Sequence, residues 1–151
     1  MNGENITKEI NALIEKMGFA GDVDTIEVHQ GAASRFEVRM RGEARMLIGE
    51  HGNNLIALEH VLKKIVKKKY NEETRFTLDI NDYRMKRLEE LKQEVKSAAK
   101  AVRLYHKSVP LRSMSSFERR IVHLLLEEYP DITTESMGEE PERKVIIKPI
   151  P

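Results

Sequence analysis

The spacing of apolar residues divides the chain into alternating helical and extended stretches. Over residues 5–17, Ile6, Ile10, Leu13, Ile14 and Met17 recur at three- and four-residue intervals, the period of one buried helix face, and Gly18 follows as a stop. Residues 25–29 and 35–40 then alternate apolar and polar positions, as half-buried strands do, and Gln30-Gly31-Ala32-Ala33-Ser34 between them reads as a hairpin loop. A short apolar piece, Met46-Leu47-Ile48, leads into Gly49-Glu50-His51-Gly52. Next, Leu55, Ile56, Leu58, Val61, Leu62, Ile65 and Val66 predict an amphipathic helix, and Phe76, Leu78 and Ile80 a third strand. The order helix, strand, strand, short helix, Gly-x-x-Gly, helix, strand describes an α+β domain over residues 1–81.

A different period follows. Asp82 reads as the N-cap of a long helix over residues 82–106, with Met85, Leu88, Leu91, Val95, Ala98, Val102 and Tyr105 on one stripe. Such a stripe needs a cover, either the flanking domains or a second copy of the helix, and packing within the chain is the preferred reading. Pro110 breaks the pattern and residues 111–115 connect to a helix over 115–129, whose apolar side carries Phe117, Ile121, Leu124 and Leu125. Residues 132–137 and 143–148 read as two strands joined across Gly138-Glu139-Glu140-Pro141. This second α+β domain spans 82–151 and includes the long helix.

Composition narrows the function classes. The 151 residues are 40% hydrophobic and 34% charged with a net charge of +1, which suits a folded globular chain. The absence of cysteine excludes disulfides, thiolate metal sites and cysteine nucleophiles. No apolar run approaches the roughly 18 residues of a membrane helix, and the N-terminus lacks a signal pattern, so a soluble, cytoplasmic protein without membrane insertion is expected. With no Trp and 5% aromatics, a base-stacking platform is not expected. Charge is uneven: residues 1–34 carry net −4, 35–70 net +5, 71–110 net +2 and 111–151 net −2. The basic block ends in Lys63, Lys64, Lys67, Lys68 and Lys69, where lysines complement a helix C-terminus and can neutralise phosphates.

Two motifs carry candidate chemistry. Gly49 and Gly52 allow a tight turn that presents bare backbone, and the helix after them points free N–H groups at the loop, an arrangement suited to phosphate. Glu50 opposes that attraction and His51 adds little charge, while Arg45 and Asn53 flank the loop. Arg119 and His123, four apart on the 115–129 helix, lie about 40° from each other. With Ile121 and Leu124 assigned to the opposite side, this pair is expected at the surface, where it can bind phosphate and contact a base, with Arg120 and Arg112 adding charge. The histidines at 29, 51, 60, 106 and 123 fall in different elements without metal-ligand spacing, and no nucleotide-binding or nucleophile motif is present. Neither an enzyme, a metal nor a cofactor is expected.

Residues 44–66 resemble the KH domain of the Jag (SpoIIIJ-associated, KhpB) bacterial proteins. Met114 with Phe117-Glu118-Arg119-Arg120-Ile121-Val122-His123, and the run from Thr133 to Arg143, resemble the Arg-x-x-x-His nucleic-acid-binding domain of the same proteins, as does Asn81-Asp82-Tyr83-Arg84 where the two domains meet. The likeness covers residues 5–149 in the family's order and leaves out its N-terminal Jag domain, so functions tied to that piece are not expected. It implies a type II KH fold joined through a long helix to a small α+β domain. It implies binding of single-stranded RNA, with single-stranded DNA as an alternative ligand, at Gly49, Glu50, His51, Gly52, Asn53, Arg45, Arg119, His123 and Arg120. A bacterial post-transcriptional or cell-envelope regulator, partnered by a small KH protein, follows from the resemblance alone. The competing expectation is an interaction module or homodimer that has lost RNA binding.

Overall fold

The computed structural model describes residues 3–42, 44–71 and 75–151, and the chain divides into two compact units, Met1–Arg84 and Met85–Pro151. In the first, α1 (Gly3–Lys16) is followed by β1 (Val23–His29), β2 (Ser34–Met40), the four-residue α2 (Arg45–Ile48), α3 (Asn53–Tyr70) and β3 (Phe76–Ile80). β2 is the central strand, antiparallel to β1 and parallel to β3, so the α2–α3 pair forms the crossover that a parallel pairing requires. Ile6, Ile10 and Ile14 of α1 and Leu55, Leu58, Leu62 and Val66 of α3 cover one sheet face, meeting Phe36, Val38, Leu78 and Ile80. Phe36 and Phe76 touch edge to face, centroids 5.5 Å apart. Ile56 and Val61, apolar on α3, are exposed instead.

The other face of this sheet carries charge. Glu27, Glu37 and Asp79 pair across β1, β2 and β3 in one register row, and Glu37 and Asp79 are fully buried. Arg35 and Arg39, two positions to either side of Glu37 and so on its face, compensate them. Arg35 Nη1 lies 3.6 Å from Glu37, 4.0 Å from Asp79 and 3.7 Å from Asp82, while Arg39 Nη1 reaches Asp82 at 3.0 Å. Burial, then a hydrogen bond with Asp82 and the nearby Asp79 charge, push the Glu37 carboxyl up to about 7. Burial raises Asp79 as well, whereas the hydrogen bonds from Glu37 and Arg39 hold Asp82 below the usual carboxylate range.

The long helix α4 runs over Tyr83–Tyr105, and its cap corrects the sequence expectation. Asp82 sits in the left-handed region (φ 56°) and faces Arg39, while the first-turn amide of Arg84 donates to both carboxylate oxygens of Asp79 at 3.2 Å. The sheet thus caps the helix.

In the second unit, α4 packs with α5 (Ser116–Leu126) and a sheet ordered β4-β6-β5, formed by β4 (Val109–Pro110), β5 (Ile132–Met137) and β6 (Lys144–Pro149). Pro110, expected only as a breaker, lies in the short edge strand β4, a position proline tolerates. Leu91, Val95, Ala98, Ala99 and Val102 are covered by Leu111, Met114, Val122, Leu126, Val145 and Ile147 of the same unit. The middle of the α4 stripe is therefore closed within the chain, and its ends, Met85 and Tyr105, are exposed. Among the described residues, no helix is long and apolar enough to cross a membrane.

Candidate nucleic-acid interface

The glycine loop is a built turn. Gly49 takes φ 74°, ψ 177° and Gly52 φ 77°, ψ 14°, conformations that side chains disfavour, and α3 begins at the next residue. Both glycines are also needed for space. A Cβ on Gly49 would lie 2.5 Å from Asn54 Cγ, and one on Gly52 would lie 2.8 Å from the Tyr83 ring. Asn54 donates its amide to the Met46 carbonyl at 2.8 Å, tying α3 back to α2 across the loop. Neither Asn54 nor Tyr83 stood out as a loop residue in the sequence, although Tyr83 lies in the stretch that carried the family likeness. Gly52 is buried against that ring, so Gly52→Asp, an obvious way to block the loop, would disturb the fold as well as the loop's charge.

Between the glycines, Glu50 is exposed and His51 adopts the left-handed region (φ 56°), a strained position for a side-chain-bearing residue. His51 Nε2 is buried, makes no hydrogen bond among the described residues, and lies 3.6 Å from Glu50. Asn53, the first residue of α3, is exposed, as is Arg45, the first of α2. Along α3 the exposed side chains include His60, Lys64, Lys67 and Lys68. Its one carboxylate, Glu59, accepts from the Leu78 amide and from Arg84 and pairs with Lys63. Lys69 is held by Glu9, which the same bond keeps below the usual carboxylate range. Positive charge on α3 thus gathers toward its C-terminal end and faces solvent.

The Arg-x-x-x-His helix departs from expectation. α5 buries Glu118, Arg119, Val122 and Leu126, while Phe117 and Leu124 face solvent. Ion pairs turn the helix this way. Glu118 is gripped through both carboxylate oxygens by Arg87 at 3.0 Å, and Arg119, only 7% exposed, donates to the Met114 carbonyl at 2.7 Å and to Glu140 at 2.6 Å. His123 is half-buried, with Nδ1 2.5 Å from Thr134 Oγ1 and Nε2 3.0 Å from Ser136 Oγ. Arg119 and His123 thus fasten α5 to the β5–β6 hairpin, where Arg143 also donates to the Gly138 carbonyl. Arg120 is exposed and makes no contact with another described residue's charge. Across the described residues the one cluster of three metal-capable side chains is Glu37, Asp79 and Asp82, already faced by Arg35 and Arg39.

These two arrangements coincide with two comparisons. The R-three-H domain family, named for its Arg-x-x-x-His motif, matches residues 86–149. RNA-binding protein KhpB of Clostridium symbiosum is 32% identical over 139 residues, covering 91% of this chain and 62% of that protein. The chain belongs to the KhpB (Jag) family. RNA-binding protein KhpB of Lactiplantibacillus plantarum is 31% identical over 90% of this chain and 41% of its own length, and that of Bacillus subtilis is 36% identical over 70% and 51%. The chain thus spans between 41 and 62% of the length of these family members.

Proposed function

We propose that this chain binds single-stranded RNA, holding phosphate at the glycine loop and along the exposed face of α3, as a binding protein rather than an enzyme. The observation that carries the reading is the loop itself. Two glycines in positive-φ conformations set bare backbone against the N-terminus of an 18-residue helix, and the lysine-rich end of that helix faces solvent. The element order α-β-β-α-α-β with a Gly-x-x-Gly turn between its paired helices supports a type II KH-like assignment for the first unit. The relatives' shared name, RNA-binding protein KhpB, supports the ligand class. In this reading Glu50, His51, Asn53 and Arg45 border the phosphate, and Arg119 and His123 are positioning residues that hold α5. A cytoplasmic regulatory role in bacteria, acting with a small KH protein, is the family-level extension of this proposal.

Glu50, 76% exposed in the loop, favours a second reading in which RNA binding is lost and the chain serves as an interaction module. Fluorescence anisotropy with a mixed-sequence single-stranded RNA, titrated with salt, separates the two. RNA binding predicts salt-sensitive affinity in the wild type and tighter binding by Glu50→Lys, which replaces repulsion with attraction without touching the core. A wild type that fails to bind at low salt removes the RNA reading in favour of the interaction module.

A further inference from the structure

We propose that Phe117, Arg120 and Leu124 form a contact strip for single-stranded RNA, in which a base stacks on the Phe117 ring and Arg120 holds the adjoining phosphate. The inference rests on the RNA-binding reading above and adds to it a site on the second unit. The three residues stand at i, i+3 and i+7 on α5, within about 60° of one another and centred opposite the buried face of Glu118, Arg119, Val122 and Leu126. Phe117 is 62% exposed and Leu124 55% exposed, on a helix whose remaining apolar residues turn inward. The side chains that would have been expected at this surface are engaged elsewhere, Arg119 with Met114 and Glu140, His123 with Thr134 and Ser136. Arg120 has no ion-pair or hydrogen-bond partner among the described residues, so its guanidinium is available to a ligand.

Charge and size select the occupant. No carboxylate lies within the strip. Glu127 and Glu128 close it at the C-terminal end of the helix, which leaves the phosphate on the side of Arg120 and the positive N-terminal end. From Phe117 to Leu124 the strip runs about 10 Å along the axis, room for one or two bases and far less than the roughly 800 Å² per partner of a stable protein interface. An aromatic ring beside an arginine is the pairing by which single strands are stacked and held without base-specific readout.

The test is anisotropy of the full chain with a labelled 12-nucleotide mixed-sequence RNA across a salt series, with circular dichroism melts and sedimentation for each variant. Phe117→Ala, truncating an exposed side chain, is expected to stay folded and to weaken binding about 5- to 100-fold with an unchanged salt slope. Phe117→Tyr keeps the ring and should bind as the wild type does. Arg120→Ala should weaken binding and reduce the salt slope by about 0.7, the loss of one phosphate contact. Wild-type binding that Phe117→Ala leaves unchanged overturns the strip while the RNA reading stands. A wild type that binds no RNA overturns both. Self-association that Phe117→Ala abolishes, with RNA affinity intact, makes the strip a protein contact and overturns the proposal.

Discussion

Replacing Glu37 with Gln should stabilise the protein above neutral pH and leave it unchanged in mild acid. Glu37 is fully buried in the carboxylate row of the first sheet, where it accepts from the Asp82 amide and its carboxyl is pushed from 4.5 up to about 7. The folded protein therefore holds this proton more tightly than the unfolded chain does. Its contribution to stability is complete below the unfolded value and is lost as pH rises from about 4.5 through about 7. A displacement of that size corresponds to on the order of 3 kcal/mol across the window. Asp79, also raised, adds a loss of the same sign. Asp82, Glu9 and Asp131 are lowered, so their contributions are present above the usual carboxylate values and vanish only in stronger acid, outside this window. Glutamine keeps the shape and hydrogen bonding of the protonated carboxyl without the titration. Urea unfolding of wild type and Glu37→Gln at pH 5 and pH 8, with hydrogen exchange over residues 34–40 and 76–80 to localise the effect, provides the readout. Coincident curves at pH 5 and a variant more stable by about 2–3 kcal/mol at pH 8 are expected. A wild type equally stable at both pH values, or a variant weakened equally at both, would show that Arg35 and Arg39 keep Glu37 ionised and would refute the reasoning.

Arg119→Ala is expected to destabilise the second unit by about 2–4 kcal/mol, because it leaves the Met114 carbonyl without its buried donor and Glu140 without its partner; loss of amide protection around residues 138–143 in hydrogen exchange is the readout. A drop in RNA affinity in that variant thus measures loss of structure before loss of contact. Lys64→Ala/Lys67→Ala/Lys68→Ala, all at exposed positions, should leave the thermal melt within a few degrees of wild type and lower the salt slope of RNA binding by about 2; an unchanged slope would place the strand away from α3.

Apolar spacing made α1, α3 and the three strands of the first unit legible, because in each the buried face is the apolar one. The same logic misplaced α5. Its apolar set of Phe117, Ile121, Leu124 and Leu125 suggested one inward face, but the buried face holds Glu118 and Arg119, whose partners, Arg87 and Glu140, lie 31 and 21 positions away. Periodicity cannot register an ion pair closed by a distant residue. For the same reason Asp82 looked like the cap of α4, while Asp79 does the capping, since that assignment depends on how β3 leads into the helix. The Glu27–Glu37–Asp79 row needed strand register, which no local pattern specifies. The loop glycines were visible as a motif, but their necessity rests on Asn54 and Tyr83, known only once the fold sets them against the turn.

The brace across the glycine loop also bears on kinetics. Asn54 holds the turn to α2 and Tyr83 backs Gly52, so its backbone is fixed before any ligand arrives. A ligand entering a preorganised loop orders little of the protein, and less binding free energy is consumed in doing so. Variation at Glu50 and His51, whose side chains do not form the brace, then changes attraction without remaking the trap. Differences among RNA sequences held by this backbone should appear mainly in residence time, with arrival rates set by charge and salt.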